Sequence, residues 1–499
     1  MHYVIRGAGL FFTRNSYFCL TRYLKCAAAF VTTFYNVTKA ALVIRKIPIA
    51  RRAHMKNNPK ELRETLLSLI HDLKNGPGEH IRNPGVDFVR NRKLPFEKMI
   101  ISILGMEGSS LTNELLSQYG CSMNVASAAA FVQQRAKIKH TALESLFHTF
   151  TKKTTVDSLF KGYRLLAVDG SDIHIPTNKT DLDSLYQSKD GRKPYNLLHL
   201  NALYDIKRHT YEDAIVLKSH LSNENRALTD MVDRSKMKTP ALIIADRGFE
   251  SYNNMAHIQE RGWKYLIRIK DHNTYSNGIL HGFELPSAEE FDIDIDLRLT
   301  RKQTNEVKEL LKDRNHYRLI ANTQTFDYLP EKSKKSDPAI LYRLPFRIVR
   351  FPITEDTYEV VVTNLDREIF PPQTLKELYS MRWGIETSFR DLKYTIGLLH
   401  FHSKKMEFIL QEIFARLVMY NFSELITLHV VIEKKDRKYE YKVNFSVAAH
   451  ICREYFLGKI TPPNIESLIS RYITPIRPGR SRPRNMIAKS TISFMYRVA

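Results

Sequence analysis

Between residues 164 and 269, short apolar runs alternate with segments in which apolar residues recur every three or four positions. The apolar runs predict strands at 164–168, 195–204, 214–218, 241–245 and 264–269, and the periodic segments predict helices at 223–236 and 252–261. The predicted order is three strands, a helix, a strand, a helix and a strand. Such an order predicts a mixed α/β domain.

The regions on either side of this block have different patterns. Residues 55–160 show the periodicity of short helices, whereas residues 271–365 contain segments that alternate polar and apolar positions, which is typical of strands. Beyond Gly397 the pattern is mainly helical to about residue 470 and ends in a basic stretch at 477–484. We find no internal repeat.

One further helix is predicted directly after the β-rich region. Pro371 and Pro372 suit its first turn and Gly397 suits its exit. Its apolar stripe comprises Leu378, Met381, Ile385, Phe389, Leu392 and Ile396. At about 100° per residue, a second set of side chains falls within roughly 60° beside that stripe. This set comprises Tyr379, Arg382, Glu386 and Lys393.

A carboxylate flanked by two cations and a phenol suggests one kind of chemistry. Glu386 could face a metal ion while Arg382, Lys393 and Tyr379 hold phosphate oxygens. The alternative is an ordinary surface helix with solvated ion pairs.

The spacing of these four residues resembles that of the DDE transposases of bacterial insertion sequences. The pattern is Tyr, two residues, Arg, three residues, Glu, six residues, Lys, as in the group related to insertion sequence 4. Two more motifs of that family precede it in the expected order, Leu165–Ser171 around Asp169 and Leu242–Phe249 around Asp246. The resemblance covers roughly residues 95 to 485.

This resemblance implies a role for each matching residue. It assigns Asp169, Asp246 and Glu386 to a metal-binding catalytic triad, and it implies that Tyr379, Arg382 and Lys393 hold the transposon-end DNA. Asp169 and Asp246 each follow an apolar run, which independently predicts positions at strand ends, where open α/β sheets place ligand sites. Carboxylates suit Mg²⁺, and two such ions support in-line phosphoryl transfer. We expect Mn²⁺ to substitute.

The predicted fold is α/β, with a ribonuclease-H-like catalytic core interrupted by a mostly β insertion and flanked by a helical amino-terminal DNA-binding region and a helical carboxy-terminal region. The predicted divisions are a doubtful extension at 1–54, the DNA-binding region at 55–160, the first part of the core at 161–270, the insertion at 271–365, the second part of the core at 366–430, and the carboxy-terminal region with its basic tail at 431–499. The unpatterned 1–54 suggests that translation starts at Met55.

Charge and cysteine content agree with a nucleic-acid enzyme of the bacterial cytoplasm, associated with the nucleoid. The chain has 499 residues, with 76 Lys and Arg against 53 Asp and Glu, a net charge of +23. Such a field attracts polyanions, although a merely basic protein or a membrane-surface binder is not excluded by charge. The four cysteines have no zinc-site spacing, and no apolar run is long enough to cross a bilayer.

Several other residues have two interpretations. In the segment 127–139, Gln133, Gln134, Arg135 and Lys137 could face DNA or form a solvated edge. Asp172 could support the triad, but capping of the next turn is favoured. Arg247 is expected to be structural or to contact a phosphate.

His174 and His199 are placed outside the site, and Asp292, Asp294 and Asp296 are assigned to the polar face of a strand. Some relatives have a Trp in the insertion that stacks on a flipped base. This chain has no Trp in that region, so Phe326 or Tyr328 could stack on the base instead.

The function predicted from these observations is a transposase that binds its terminal inverted repeats as a homodimer, cleaves the double-stranded DNA ends and joins the 3′-OH to target DNA. One alternative is a nuclease or junction resolvase of the same fold without strand transfer. Another is a catalytically dead, transposase-derived DNA-binding protein.

Overall fold

The computed structural model describes residues 58–477, except for short segments at 77–78, 91–92, 156–157, 188–192, 272–277, 332–337, 355–356, 434–436 and 462–463. The predictions for the extension at 1–54, for a start at Met55 and for most of the basic tail lie outside the described residues. So do Cys19 and Cys26, whereas Cys121 and Cys452 are free thiols.

The strands of the described chain are β1 (Arg164–Ile175), β2 (Leu185–Tyr186), β3 (Tyr195–Asp205), β4 (Thr210–Lys218), β5 (Ala241–Ala245), β6 (Lys264–Ile269), β7 (Phe291–Thr300), β8 (Tyr317–Leu319), β9 (Tyr342–Thr354), β10 (Thr357–Thr363), β11 (Tyr441–Val443) and β12 (Ile473–Pro475). The helices are α1 (Pro59–Asn75), α2 (Phe96–Gly105), α3 (Leu111–Gln118), α4 (Ala128–Arg135), α5 (Thr141–Lys153), α6 (Glu224–Arg234), α7 (Tyr252–Glu260), α8 (Asn305–Leu310), α9 (Pro372–Met381), α10 (Trp383–Tyr394), α11 (Met406–Leu428), α12 (Phe445–Phe456) and α13 (Ile465–Ser470).

The predicted order of elements between 164 and 269 is present. In the sheet, β1 pairs antiparallel with β3 and parallel with β5, β3 pairs with β4, and β5 continues in parallel to β6. Two strands are several residues longer than predicted: β4 begins at Thr210 instead of Ala214, and β1 runs on to Ile175 instead of ending at Val168. β1 extends this far because β3 supplies hydrogen-bonding partners as far as Asn196, opposite Ile175.

Alternate residues of the central strands face two different cores. Leu165 and Ala167 of β1 pack into one cluster with α11 and the amino-terminal helices, while Leu166 and Val168 pack into another with α6 and α7. Side chains that alternate at period two let a sheet bury both faces when helices cover both. The central sheet is therefore the middle of three layers.

The β-rich region 271–365 extends the same sheet. β10 pairs antiparallel with β6, β9 pairs with β10, and β7 pairs with β9. An uncovered β6 would be an open edge strand, and its pairing with β10 removes that edge. The region is mostly β, as predicted. Asp292 and Asp296 on β7 form ion pairs with arginines of the same region, and Asp294 pairs with Arg367 just beyond it.

The amino-terminal helices pack around α11, whose residues are almost all buried. Arg135 at the end of α4 is 1% exposed, and its Nη1 donates to Glu412 Oε1 at 2.8 Å while its Nε donates to Gln411 Oε1 at 2.7 Å. The prediction that Arg135 could face DNA is therefore wrong, because its guanidinium joins α4 to α11. Gln133 on the same helix is exposed.

Within the described residues, no helix is both long and apolar enough to span a lipid bilayer. The longest, α11, has polar and charged side chains along its buried length, among them Gln411, Glu412, Arg416 and Asn421.

Replacing Arg135 by Ala should lower the free energy of unfolding by about 3–5 kcal/mol, because the buried carboxylate of Glu412 would be left without its guanidinium partner. Urea denaturation followed by circular dichroism would measure this. Gln133→Ala, a truncation on the exposed side of the same helix, is the matched control and should change the value by less than about 0.5 kcal/mol. Equal urea midpoints for the two variants would show that the ion pair between Arg135 and Glu412 does not stabilise the fold.

Candidate active site

Asp169 and Asp246 lie side by side on the two central parallel strands. The last paired residues of β1 and β5 are Ala167 and Ile244, and each aspartate follows two positions later. Neighbouring strands are about 4.8 Å apart, so the two backbones present these carboxylates at one level. Each is held by a nearby N–H: Gly170 N donates to Asp169 Oδ1 at 2.9 Å, and Gly248 N donates to Asp246 Oδ1 at 2.8 Å.

Glu386 reaches this place from α10 through an arginine. The Nη2 of Arg382 donates to Glu386 Oε1 at 2.9 Å, and its Nη1 lies 3.6 Å from Asp169 Oδ2. The single helix that the sequence predicts is interrupted at Arg382, where α9 ends and α10 begins. The predicted apolar stripe is buried against the sheet, with Leu378, Ile385 and Leu392 fully enclosed.

The electrostatics of the site reflect burial first and the closeness of its carboxylates second. Burial, together with Glu386 and Asp246, raises the pKa of Asp169 to about 7, although Arg382 and the Gly170 N–H oppose the rise. Burial lowers the pKa of Arg382, but nearby Tyr379, Asp169 and Glu386 more than offset this, so the net change is upward. The buried arginine is therefore fixed as a cation among carboxylates.

The ligand atoms at the site are of the type that hard divalent cations prefer. Three carboxylates, whose oxygens are suitable ligands, lie at one edge of the sheet. Burial raises the pKa of Asp169, and a bound cation would favour its charged form. As the side chains stand, they are grouped around Arg382, and no three potential ligands among the described residues converge closely enough to hold a metal ion.

Lys393 and Tyr379, the other two residues predicted on this helix edge, lie against groups other than the carboxylates of the triad. Lys393 Nζ donates to Ser171 Oγ at 2.8 Å and to the backbone oxygen of Asp172 at 2.6 Å, so it lies over β1 just beyond Asp169. Burial lowers its pKa. Tyr379 is only 5% exposed and lies against Arg382. As the side chains stand, Tyr379 supports Arg382 and offers little surface to a ligand.

A further ionic group adjoins the site and was not predicted. His199 of β3 lies between Asp172, with Nδ1 to Oδ1 at 2.7 Å, and Glu224 at the start of α6, with Nε2 to Oε1 at 3.0 Å. Burial lowers the pKa of His199, but the two carboxylates overcome this and raise it to about 9. A Cβ at position 170 would lie 2.3 Å from His199 Nε2 and 2.5 Å from Glu224 Oε1, so a larger residue there would displace these two side chains from each other.

These contacts correct several sequence interpretations. His199 belongs to the surroundings of the site, and Asp172 binds it from within β1 instead of capping a turn. His174 packs against Tyr195, as expected for a residue outside the site.

Phe326 is buried at 2% exposure among aromatic neighbours, so it offers no free stacking face, and Tyr328 packs against His257. Arg247 is exposed in the short 3₁₀ turn after Asp246.

A mixed α/β sheet with acidic residues at the ends of its central strands is compatible with many α/β enzymes. Comparison with known proteins identifies the family. The family model described as "Transposase DDE domain" matches residues 160–422, more than half of the chain. The chain therefore belongs to the DDE transposase family, and its function is that of a transposase. The predicted resemblance to the transposases of insertion sequence 4 is confirmed.

Proteins similar to this chain include transposases from two bacteria. The transposase InsG of insertion sequence element IS4 from Escherichia coli K12 is 23% identical over 350 residues, which cover 68% of this chain and 71% of that one. The transposase of IS231C from Bacillus thuringiensis subsp. berliner is 23% identical over 298 residues, covering 55% and 60%. A solved structure, the piggyBac transposase synaptic complex with hairpin DNA, matches with a TM-score of 0.41 and 11% identity over 89% of this chain and 90% of that one.

In the metal-free protein, Asp169 should make stability fall as the pH rises. Its pKa is about 7 when folded against an ordinary value of 3.8, so the folded state favours the protonated carboxyl. The resulting stabilisation is complete below the unfolded pKa and is lost as the pH rises through about 7, by at most about 1.4 kcal/mol per pH unit. Unfolding midpoints measured in EDTA across this range would show the decline.

The control for this measurement is Asp169→Asn, which has no proton to lose and should show a smaller decline. Added Mg²⁺ or Mn²⁺ should raise the midpoint of the parent at alkaline pH more than that of the variant. Parallel curves for the two proteins in EDTA would exclude the pKa assigned to Asp169.

Proposed function

We propose that this protein is a DNA-cleaving and strand-transferring transposase of a bacterial insertion sequence, with Asp169, Asp246 and Glu386 as its metal-binding catalytic triad. The observation that carries the proposal is geometric: Asp169 and Asp246 stand at one level on adjacent parallel strands, and Arg382 joins Glu386 to Asp169. The strand order β4–β3–β1–β5–β6 supports a ribonuclease-H-like core beneath the triad.

The chemistry requires a pair of divalent ions, Mg²⁺ or Mn²⁺, which when bound would stabilise negative charge on both the attacking and the leaving oxygen of an in-line displacement. Asp169, Asp246 and Glu386 would hold these ions. Glu386 accepts from Arg382 through Oε1 in the present arrangement, which leaves its other oxygen to a metal ion. Arg382 would offer a phosphate its Nε–H, which has no acceptor as the side chains stand.

The DNA end would lie along the exposed side of α10. Lys393 towards the end of this helix is proposed to contact a backbone phosphate. Arg382, which like Tyr379 is only 5% exposed, is proposed to reach a phosphate with its Nε–H once its pairing with Glu386 loosens, with Tyr379 acting through it. Lys393 uses two donors on Ser171 and the backbone of Asp172, which leaves one N–H of its ammonium for a phosphate.

The partners follow from the same reaction. The substrates would be duplex DNA carrying the terminal inverted repeats of the element and a target duplex, bound by two copies of the chain. The net charge of +23 supports polyanion binding, although the chain has buried arginines that contribute nothing to that surface.

Two other functions are less well supported. A junction resolvase would use the same carboxylates but gives no reason for Lys393 and Arg382 to border them in the transposase spacing. A catalytically dead DNA-binding protein would not be expected to keep three carboxylates at one edge of the sheet together with their supporting glycine at position 170.

Asp169→Asn, Asp246→Asn and Glu386→Gln should each reduce strand cleavage by more than about 10³-fold, because loss of a metal ligand removes several kcal/mol of transition-state stabilisation. The assay is nicking of a duplex that carries the inverted repeats in Mg²⁺, with gel shifts to measure binding. Asp294→Asn, at an exposed carboxylate of β7, is the control and should cleave normally.

Binding by the three triad variants should stay close to that of the parent. A variant that still nicks would remove its residue from the triad. Parent protein that cleaves branched DNA whatever its terminal sequence would favour the resolvase, and parent protein that binds repeats without cleaving them would favour the dead homologue.

Lys393→Ala and Arg382→Ala should weaken binding to a cleaved transposon end. The plot of log affinity against log salt should also become shallower by about 0.9 for each phosphate that the variant no longer binds. Arg382→Lys should not restore activity, since an ammonium lacks the bidentate fork. Arg390→Ala is the matched control, because Arg390 lies on the same helix with 65% of its side chain exposed.

The unfolding midpoint of each variant must be measured, since Arg382 and Lys393 also contact the sheet. If Lys393→Ala and Arg390→Ala gave the same slope, the helix edge would be an ordinary solvated surface and not a phosphate clamp.

A further inference from the structure

A cavity of about 400 Å³ lies at the carboxy-terminal end of α10, away from the carboxylate triad. Its walls come from the residues that follow α10, from the loop after α2, and from the facing sides of α11 and α12. Two arginines line it, Arg416 from α11 and Arg453 from α12, together with His400 and His450. Nothing in the proposed cleavage chemistry uses these residues.

Arg416 is a buried cation with an unused donor. It is 2% exposed, its Nη2 donates to the backbone oxygen of Glu107 at 2.8 Å, and its Nε has no acceptor. In the described part of the chain no carboxylate forms an ion pair with it. Burial lowers the pKa of Arg416, so the folded protein holds this cation at a cost. A buried donor without an acceptor is destabilising, and an anion in the cavity would supply the missing acceptor.

The two buried carboxylates near Arg416, Glu412 and Glu114, already have other hydrogen-bond partners. Glu412 accepts from Arg135 at 2.8 Å and lies 3.1 Å from His402 Nδ1, while Glu114 Oε1 accepts from the backbone N–H of Ser109 at 2.8 Å. They moderate the charge of Arg416 at longer range but leave its Nε unbonded. Arg416 lines the cavity, so its unbonded Nε is a donor that an anion bound there could use.

Arg453 adds a second guanidinium with a similar deficit. Its Nε also lacks an acceptor, and its Nη2 bonds Glu454, which is shared with Lys459. Its Nη1 pairs with Glu107, whose side chain is 53% exposed and also lies 3.6 Å from His450 Nδ1. A solvent-exposed carboxylate contributes little free energy to such a pair, so an incoming anion can replace it.

We propose that this cavity binds a phosphate group, with Arg416 and Arg453 as its donors and Glu107 as the carboxylate that the phosphate displaces. Two guanidinium groups in a partly desolvated pocket are the recognition chemistry of phosphate, through charge-assisted hydrogen bonds. The lining also has apolar side chains, with Leu104 and Met419, so those bonds are little weakened by water.

The assigned source of the phosphate is the DNA backbone, and this part of the inference rests on the proposed function. The twelve residues of α10 span about 18 Å, from the turn that carries Glu386 to the wall of the cavity at Tyr394. A DNA strand that leaves the triad and follows α10 past Lys393 would reach the cavity within a few nucleotides. The cavity would then fix the direction of that strand.

The first test uses inorganic phosphate and the full chain, with the thermal unfolding midpoint as the readout at constant ionic strength. Phosphate should stabilise the parent more than chloride does. Glu107→Gln should bind phosphate several-fold more tightly, because it removes the competing carboxylate but keeps the backbone oxygen that Arg416 uses. This variant leaves both arginines in place, which matters because a substitution of the buried Arg416 can itself prevent folding.

Ser446, exposed at the cavity wall on α12, supplies the opposite change. Ser446→Glu should weaken phosphate binding about tenfold, whereas Ser446→Gln, of the same size without the charge, should leave it unchanged. Ser467→Glu on α13 adds the same charge at an exposed position outside the cavity lining and is the control for net charge. If Glu107→Gln and Ser446→Glu both bound phosphate as the parent does, the phosphate site would be excluded.

The second test separates DNA from a free phosphate compound. Ser446→Glu should weaken binding to a terminal-repeat duplex more than Ser467→Glu does, and Glu107→Gln should strengthen it. Phosphate binding that responds to the variants without any change in DNA binding would overturn the DNA assignment and indicate a small phosphate-bearing ligand. Failure of the parent to cleave DNA would instead count against the proposed function and leave the phosphate measurements intact.

Discussion

The contact between Arg382 and two carboxylates is the interaction on which the rest of the site depends. It joins α10 to β1 across the centre of the molecule, through Glu386 at 2.9 Å and Asp169 at 3.6 Å. Without this cation, burial would leave Asp169 and Glu386 repelling each other in a poorly solvated place. The arginine thus keeps the acidic residues close together before any metal or DNA is bound.

The β-rich region at 271–365 contributes a carboxylate that lies close to Arg382. β10 pairs with β6, and Glu359 of β10 forms an ion pair with Arg268 of β6 at 3.3 Å. Burial raises the pKa of Glu359, while Arg268 and Arg382 oppose the rise. Because these charges lie next to Tyr379 and Arg382, the β-rich region also affects the electrostatics behind the candidate site. Its removal would therefore expose β6 and disturb Arg382 together.

Patterns local in sequence predicted much of the fold and the centre of the site. The strand at 241–245 matches the prediction at both ends, and the apolar stripe of the Glu386 helix is buried as its periodicity requires. What could not be predicted depends on distant partners. Arg135 is buried because it pairs with Glu412, which is 277 residues away in the sequence. His199 lies at the site because β3 pairs it with Asp172 of β1. Neither pairing can be recognised from the spacing of residues in the sequence.

The same reasoning changes what the basic composition means. Arg164 is 1% exposed and held by Asp205 and Glu212, and Arg135 is equally enclosed, so such cations stabilise the interior and offer nothing to DNA. The cations that can bind a polyanion are those with donors still unsatisfied. By that criterion Lys393 and Arg416, at successive positions along α10 and beyond it, matter more than the net charge of the chain. The proposed path of the DNA strand therefore follows the cations with unmet hydrogen bonds, since a cation whose donors are all used cannot form a new bond without breaking an old one.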